Sequence, residues 1–152
     1  MLDNIWKEVQ ESVDTYPIIP EGEYNAVIQG YEFDEVGENA SPIARVMLVF
    51  QNNPAAMLSD NSAPIDGQTA EYTIWFPREE DKQTPARYGR GTMFDVAVRR
   101  LKAFFQACGV DPKQYNSMEE AFEACKNARV VVSVGNRSLD DGSLTDFIKK
   151  VS

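Results

Sequence analysis

Residues 92–109 read TMFDVAVRRLKAFFQACG. Phe94, Ala97, Val98, Leu101, Phe104, Phe105 and Cys108 recur in it at spacings of three and four, the pattern of a helix with one apolar face. Thr92 with Asp95 three residues later is a capping-box start, and Gly109 followed by Pro112 is a stop. Its place in the chain decides the fold, because three strand-like segments precede it and two follow.

Upstream, residues 22–34 (GEYNAVIQGYEFD) alternate with Tyr24, Ala26 and Ile28 on one face, and Gly30 offers a bend. Residues 43–51 (IARVMLVFQ) place Val46, Leu48 and Phe50 opposite Arg45, Met47 and Val49. In residues 69–77 (TAEYTIWFP), Tyr72, Ile74 and Phe76 alternate with Thr73 and Trp75, and Pro77 ends the ladder. Between the last two lies a long loop, residues 52–68, of a length that usually marks a functional or disordered segment. Downstream, Ser117 with Glu120 caps a shorter helix that runs to Lys126 and carries Ala121, Phe122 and Cys125 inward. Residues 129–135 and 143–151 then form two strands around the turn-rich segment 136–142, the pattern of a hairpin.

This order predicts a mainly β domain, a five-stranded OB-fold barrel whose helical insertion lies between strands three and four and plugs the open end. An open α+β sheet and another small barrel are the rival layouts. At the N-terminus, Leu2, Ile5, Trp6, Val9 and Val13 stand at helical spacing before Pro17 and Pro20. The predicted organisation is therefore a short acidic amphipathic arm over residues 1–16 and one OB domain over residues 18–152.

A net charge of −9 argues at first against nucleic acid as a partner, since phosphate is normally met by a basic surface. Its distribution reverses that objection. Residues 1–38 hold ten acidic residues and one basic residue, so the remainder balances at fourteen against fourteen. Within that remainder, residues 78–102 carry seven basic residues against four acidic ones. The chain has no histidine and two cysteines, Cys108 and Cys125, which removes the commonest general base and any four-ligand zinc site built on thiols and imidazoles. Both cysteines read as buried free thiols. Asp140-Asp141-Gly142 reads as a turn rather than a metal site. No cofactor, no metal and no catalytic residue is expected, and the chain reads as a non-enzyme. With no long apolar run and no basic, apolar leader, no membrane contact is expected and a soluble, cytoplasmic protein is.

Several segments resemble a group of phage-encoded OB-fold proteins that bind single-stranded DNA. The resemblance rests on Pro20-Glu-Gly-Glu-Tyr-Asn-Ala-Val-Ile28, Val46-Met-Leu-Val-Phe50, Thr73-Ile-Trp-Phe76, Leu101-Lys-Ala-Phe-Phe-Gln-Ala-Cys-Gly109 and Ala128-Arg-Val-Val-Val-Ser-Val134. These span most of residues 18–150, and each is a loose pattern of glycine, aromatic and apolar positions. The basic end Lys149-Lys-Val-Ser152 departs from the acidic tail usual in such proteins. The resemblance implies sequence-nonspecific binding and protection of single-stranded DNA during phage DNA replication or recombination, in the host cytoplasm.

Such binding needs cations along the phosphates and exposed rings on which bases stack, and OB-folds place them on strands two and three and the adjoining loops. The candidate nucleic-acid-binding set is therefore Arg45, Met47, Thr73, Trp75, Arg78, Lys82, Arg87, Tyr88, Arg90 and Arg137. Trp75 either stacks on a base or packs under the 52–68 loop or the N-terminal helix. Likewise, segment 87–91 either clamps the phosphate backbone or is a solvated loop. Arg99, Arg100 and Lys102 read as a solvated helix face, and Lys149 and Lys150 as edge-strand solubilisers. The acidic N-terminal helix either packs on its own barrel or meets a replication or recombination protein or a second subunit, which leaves a homo-oligomer open. The alternative from another class is a non-enzymatic virion structural or assembly protein acting through protein–protein contacts.

Overall fold

The computed structural model describes residues 2–11 and 16–152. Five strands, β1 (Gly22–Val36), β2 (Ser41–Phe50), β3 (Thr69–Trp75), β4 (Arg129–Ser138) and β5 (Leu144–Val151), form one sheet in the order β3-β2-β1-β4-β5. Every neighbouring pair is antiparallel, and β4 and β5 pair as the expected hairpin. The described residues are thus mainly β, with three α-helices among them: α1 (Leu2–Glu11), α2 (Met93–Ala107) and α3 (Met118–Cys125). Two of them, α2 and α3, lie between β3 and β4 in the chain. Among the described residues no ladder joins β3 to β5, so the hydrogen-bonded sheet is open at that seam, although the two strands lie close together. None of the described helices is long and apolar enough to cross a membrane.

β1 is the strand on which the sheet turns. Gly22–Val27 pair with β4 and Ala26–Val36 with β2, so only Ala26 and Val27 are paired on both sides. The register with β2 slips between Ile28 and Gly30, where a bend was expected from the glycine. An extra residue there strengthens local twist and lets one long strand serve two differently directed partners. A second slip, at Ser133/Val134, falls in the β4–β5 pairing.

Alternation places Val46, Leu48 and Phe50 at 0% exposure on the inner face of β2, with Ala26 and Ile28 of β1 and Ile74 of β3 beside them. The long loop 52–68 adds to this core. Leu58 and Ile65 are buried, Met57 bridges to Pro64, and Asn53 ties Asp66 to the backbone of Asn25. A stretch that composition marks as functional or disordered is an ordered cover on the sheet.

Both predicted helix starts form. The Thr92 hydroxyl accepts from the Asp95 backbone N–H, and the Asp95 carboxylate accepts from the Thr92 N–H at 2.8 Å. For α3, the Ser117 hydroxyl accepts from the Glu120 N–H. α3 delivers Phe122, 1% exposed, into a set of rings drawn from three other places in the chain. Its ring centroid lies 5.5 and 5.3 Å from Tyr31 and Phe33 of β1, and 6.1 Å from Phe76 after β3. Phe104 and Phe105 of α2 stand 5.6 and 5.1 Å away. Cys108 and Cys125 are free thiols beside this cluster, Cys125 buried and Cys108 half-buried. Contact with the Cys125 thiol, followed by burial, pushes the Cys108 thiol up.

The described part of the N-terminal arm is helical over Leu2–Glu11, and no residue of α1 is buried. The reading of Val13 as part of its apolar face lies outside the described residues. From Ile18 onward the chain is fastened: the Ile18 N–H donates to Ser59 Oγ, the Ile19 N–H donates to Asp146 Oδ2, and Ile19 is buried.

Because Phe122 joins β1, the end of β3 and α2, its truncation opens a cavity that no single element can close. Phe122→Ala is expected to lower unfolding free energy by about 3–5 kcal/mol, read by urea denaturation. Phe122→Leu, which keeps most of the volume, is expected to lose clearly less.

Candidate nucleic-acid interface

The outer face of β1, β2 and β3 is laid out in cross-strand rows. Register sets Asp34, Ile43 and Trp75 in one row, Glu32, Arg45 and Thr73 in the next, and Gly30, Met47 and Glu71 in a third. Directly opposed side chains on one face lie within contact reach, so Arg45 is surrounded by carboxylates. It pairs with Asp34, and its Nε lies 3.2 Å from Glu71 Oε1. The Arg45 guanidinium, by donating to Asp34, holds that carboxyl below the usual carboxylate range. Arg45 therefore acts here as a three-strand staple, with its charge already met. Met47, 37% exposed, lies beside Glu71.

Two more of the predicted cations are also committed. Arg78 precedes a short 3-10 helix, Glu79–Gln83, where Nη2 sits 3.0 Å from Asp81 Oδ1 and Nη1 sits 3.0 Å from Glu80 Oε1, and it also donates to Ser41 Oγ. Lys82 Nζ is 2.9 Å from Glu79 and 4.7 Å from the centre of the Phe94 ring. Arg87, Arg90 and Arg137 form no ion pair among the described residues. Arg87 lies against the ring of Tyr88, which is 79% exposed, and Arg137 lies 4.1 Å over the ring of Phe147.

Trp75 is 54% exposed, so neither the 52–68 loop nor α1 covers it. It stands at a cleft of about 450 Å³ between β3 and the first turns of α2, which Thr73, Arg78 and Asp81 also line. Two further cations reach the same cleft: Arg100 of α2 and Lys149 of β5. Neither forms an ion pair among the described residues. Gly135 of β4 gives Lys149 its course, because a Cβ at that position would come within 2.6 Å of Lys149 Cδ and 2.8 Å of Phe147 Cζ.

Arg100 and Lys149 are exposed, in keeping with their reading as a solvated helix face and an edge-strand solubiliser, and they line the cleft as well. The signal for Arg100 was present: Met93, Val96, Ala97 and Arg100 have the i, i+3, i+4, i+7 spacing of one helix side, and all four line the cleft. Lys149 had no such signal, since its place depends on how β5 lies beside β3.

The candidate residues are thus divided. Thr73, Trp75 and Arg78 share the cleft, whereas Arg45 and Met47 lie on the strand face outside its lining. Arg87, Tyr88 and Arg90 occupy a separate loop, pinned at its base by the Pro85–Thr92 bridge and by Ala86 N–H donating to Gly91 O. Gly91, at φ +94°, does more than supply freedom: a Cβ there would meet Asp95 Oδ2 at 2.6 Å and push out the helix cap. Arg137 lies in the β4–β5 hairpin. In that hairpin Asp141 accepts from the Ser143 N–H and hydroxyl, which makes Asp140-Asp141-Gly142 a hydrogen-bonded turn.

No protein-family model matches the chain, and no curated protein matches it.

Three carboxyls near the cleft or strand face are held below their ordinary range: Asp34 by Arg45, Asp81 by Arg78, and Asp95 by the Thr92 backbone N–H and hydroxyl. A depressed folded-state value stabilises the fold above the unfolded value of about 3.9, and that contribution is lost as pH falls through the folded value. The urea midpoint is expected to hold above about pH 5 and to fall between about pH 5 and 2. Asp81→Asn is expected to remove part of that decline.

Proposed function

We propose that the chain is an OB-fold protein that binds single-stranded DNA without sequence preference and without chemistry, protecting it during phage DNA replication or recombination. The observation that carries this reading is Trp75, half exposed at a cleft also lined by Arg100 and Lys149, two cations without an ion pair among the described residues. A flat ring flanked by cations is what a base and its two phosphates require, since stacking contributes about 1–3 kcal/mol per base. Arg87, Tyr88, Arg90 and Arg137 extend the contact on the flanking loops. The OB reading is supported by the strand order, by the division of β1 between two partners, and by the helices between β3 and β4. In this reading Arg45, Arg78 and Lys82 position strands and loops and bring little net charge to the ligand.

A second reading, a non-enzymatic virion assembly protein, draws support from one observation. Glu32, Asp34 and Glu71 surround Arg45 on the sheet face that an OB-fold offers to nucleic acid, and an acid-rich face suits a basic protein partner.

Fluorescence separates the two readings, because the chain has two tryptophans and Trp6 can be replaced by phenylalanine. In that background oligothymidine is expected to quench Trp75, and Trp75→Ala to weaken binding about 5- to 150-fold. Arg100→Ala and Lys149→Ala are expected to weaken binding more than Arg45→Ala does. Full fluorescence at saturating oligothymidine would sink the stacking role, and no binding at all would favour the assembly reading.

A further inference from the structure

On the outer face of the β4–β5 hairpin three side chains are laid against one another. Val130, Val132 and Val134 of β4 are buried in the core, so alternation turns Gly135 and Arg137 the other way. Register sets Gly135 opposite Phe147 and Arg137 opposite Thr145, which puts Phe147 on that outer face as well. Lys149 follows two residues later, at the slip where Ile148 pairs with Val134 and Lys150 with Ser133.

Gly135 is the floor of this group. It is buried, and a Cβ there would come within 2.6 Å of Lys149 Cδ and 2.8 Å of Phe147 Cζ. The bare backbone therefore lets both side chains lie close over β4. Arg137 closes the group from above, its guanidinium carbon 4.1 Å from the centre of the Phe147 ring. It is exposed and forms no ion pair among the described residues. A guanidinium held over a ring on one side has its other side open to solvent.

The acids around the hairpin balance its cations. Asp141 accepts from Ser143, Asp146 from the Ile19 N–H, and Glu21 from the Asn136 N–H. Asp140 lies in the turn, and Glu23 shares a row with Ser133 and Lys150. What the hairpin adds is thus a charged plane rather than a basic field.

We propose that the Arg137–Phe147 stack is a second seat for a nucleobase, joined to the Trp75 cleft by Lys149. The proposal rests on the single-strand reading and extends it from one stacking surface to two. Bases stack on guanidinium planes as they do on aromatic rings. Lys149 lines the cleft at Trp75 and rests on the same glycine as Phe147, so one cation stands between the two seats. Phe147 holds the guanidinium over its ring before any ligand arrives, and Gly135 makes room for Phe147. Both are positioning residues.

Arg137→Lys tests this, because it keeps the charge and removes the plane. The full chain with Trp6→Phe is titrated with oligothymidines of about 4 and about 16 nucleotides, the two ends of the site size of one OB-fold. The short strand is expected to quench Trp75 with equal affinity whether residue 137 is arginine or lysine. The long strand is expected to bind Arg137→Lys at least about fivefold more weakly, the loss of one stack. Its salt slope is expected to stay unchanged, since no charge is lost. Phe147→Leu is expected to reproduce the long-strand loss and Phe147→Tyr to avoid it. Combining Phe147→Leu with Arg137→Lys is expected to cost little more than either change alone. Position 137 is exposed, so the lysine variant keeps the fold. Equal long-strand affinity in Arg137→Lys, or an equal loss at both lengths, overturns the second seat and leaves Trp75 quenching, and with it the single-strand reading, in place. Binding of neither strand overturns both.

Discussion

The burial of one ring, Phe122, holds the two halves of the fold together. Through it α3 is locked to β1 by Tyr31 and Phe33, to the end of β3 by Phe76, and to α2 by Phe104 and Phe105. The sheet alone does not place α2, because the connection from β3 passes through a 3-10 helix and the pinned loop before it. Ring packing does. With α2 fixed, its Met93–Arg100 side faces β3 and a cleft results, so the candidate site is a by-product of how the core is closed.

The charge pattern follows a similar logic. Three cations that belong by position to a nucleic-acid face, Arg45, Arg78 and Lys82, are paired within the protein. Their carboxylate partners come from neighbouring strands or from the same short helix, so pairing fixes local geometry and lowers the field that reaches solvent. Among the cations without an ion pair in the described residues, Arg100 and Lys149 lie at the cleft and Arg87, Arg90 and Arg137 in loop and hairpin segments. An acidic chain can carry a local basic track in this way, provided that its excess acid is kept elsewhere. The whole net excess sits in residues 1–38.

Local patterns were legible in the sequence, and long-range ones were not. The Thr92–Asp95 cap, the inward faces of β2 and β3, and the burial of Phe122 follow from spacing, because helix and strand periods are properties of a few adjacent residues. The ordered cover 52–68 was hidden, since Leu58 and Ile65 are isolated among polar and turn-forming residues and show no period. The neutralisation of Arg45 was equally hidden, because Asp34 and Glu71 meet it only through the register of two ladders. Lys149 is the sharpest case. Its role depends on a slip in the β4–β5 register and on the bare Gly135 beneath it.

The division between paired and unpaired cations has a direct readout in the salt dependence of oligothymidine affinity. For single strands the slope of log affinity against log salt is about −0.7 for each phosphate neutralised. Binding through Arg87, Arg90, Arg100, Arg137 and Lys149, five cations without an ion pair among the described residues, gives a slope of about −3.5, with weaker binding to duplex. A slope near zero, or duplex bound as tightly as single strand, contradicts single-strand binding at this cleft.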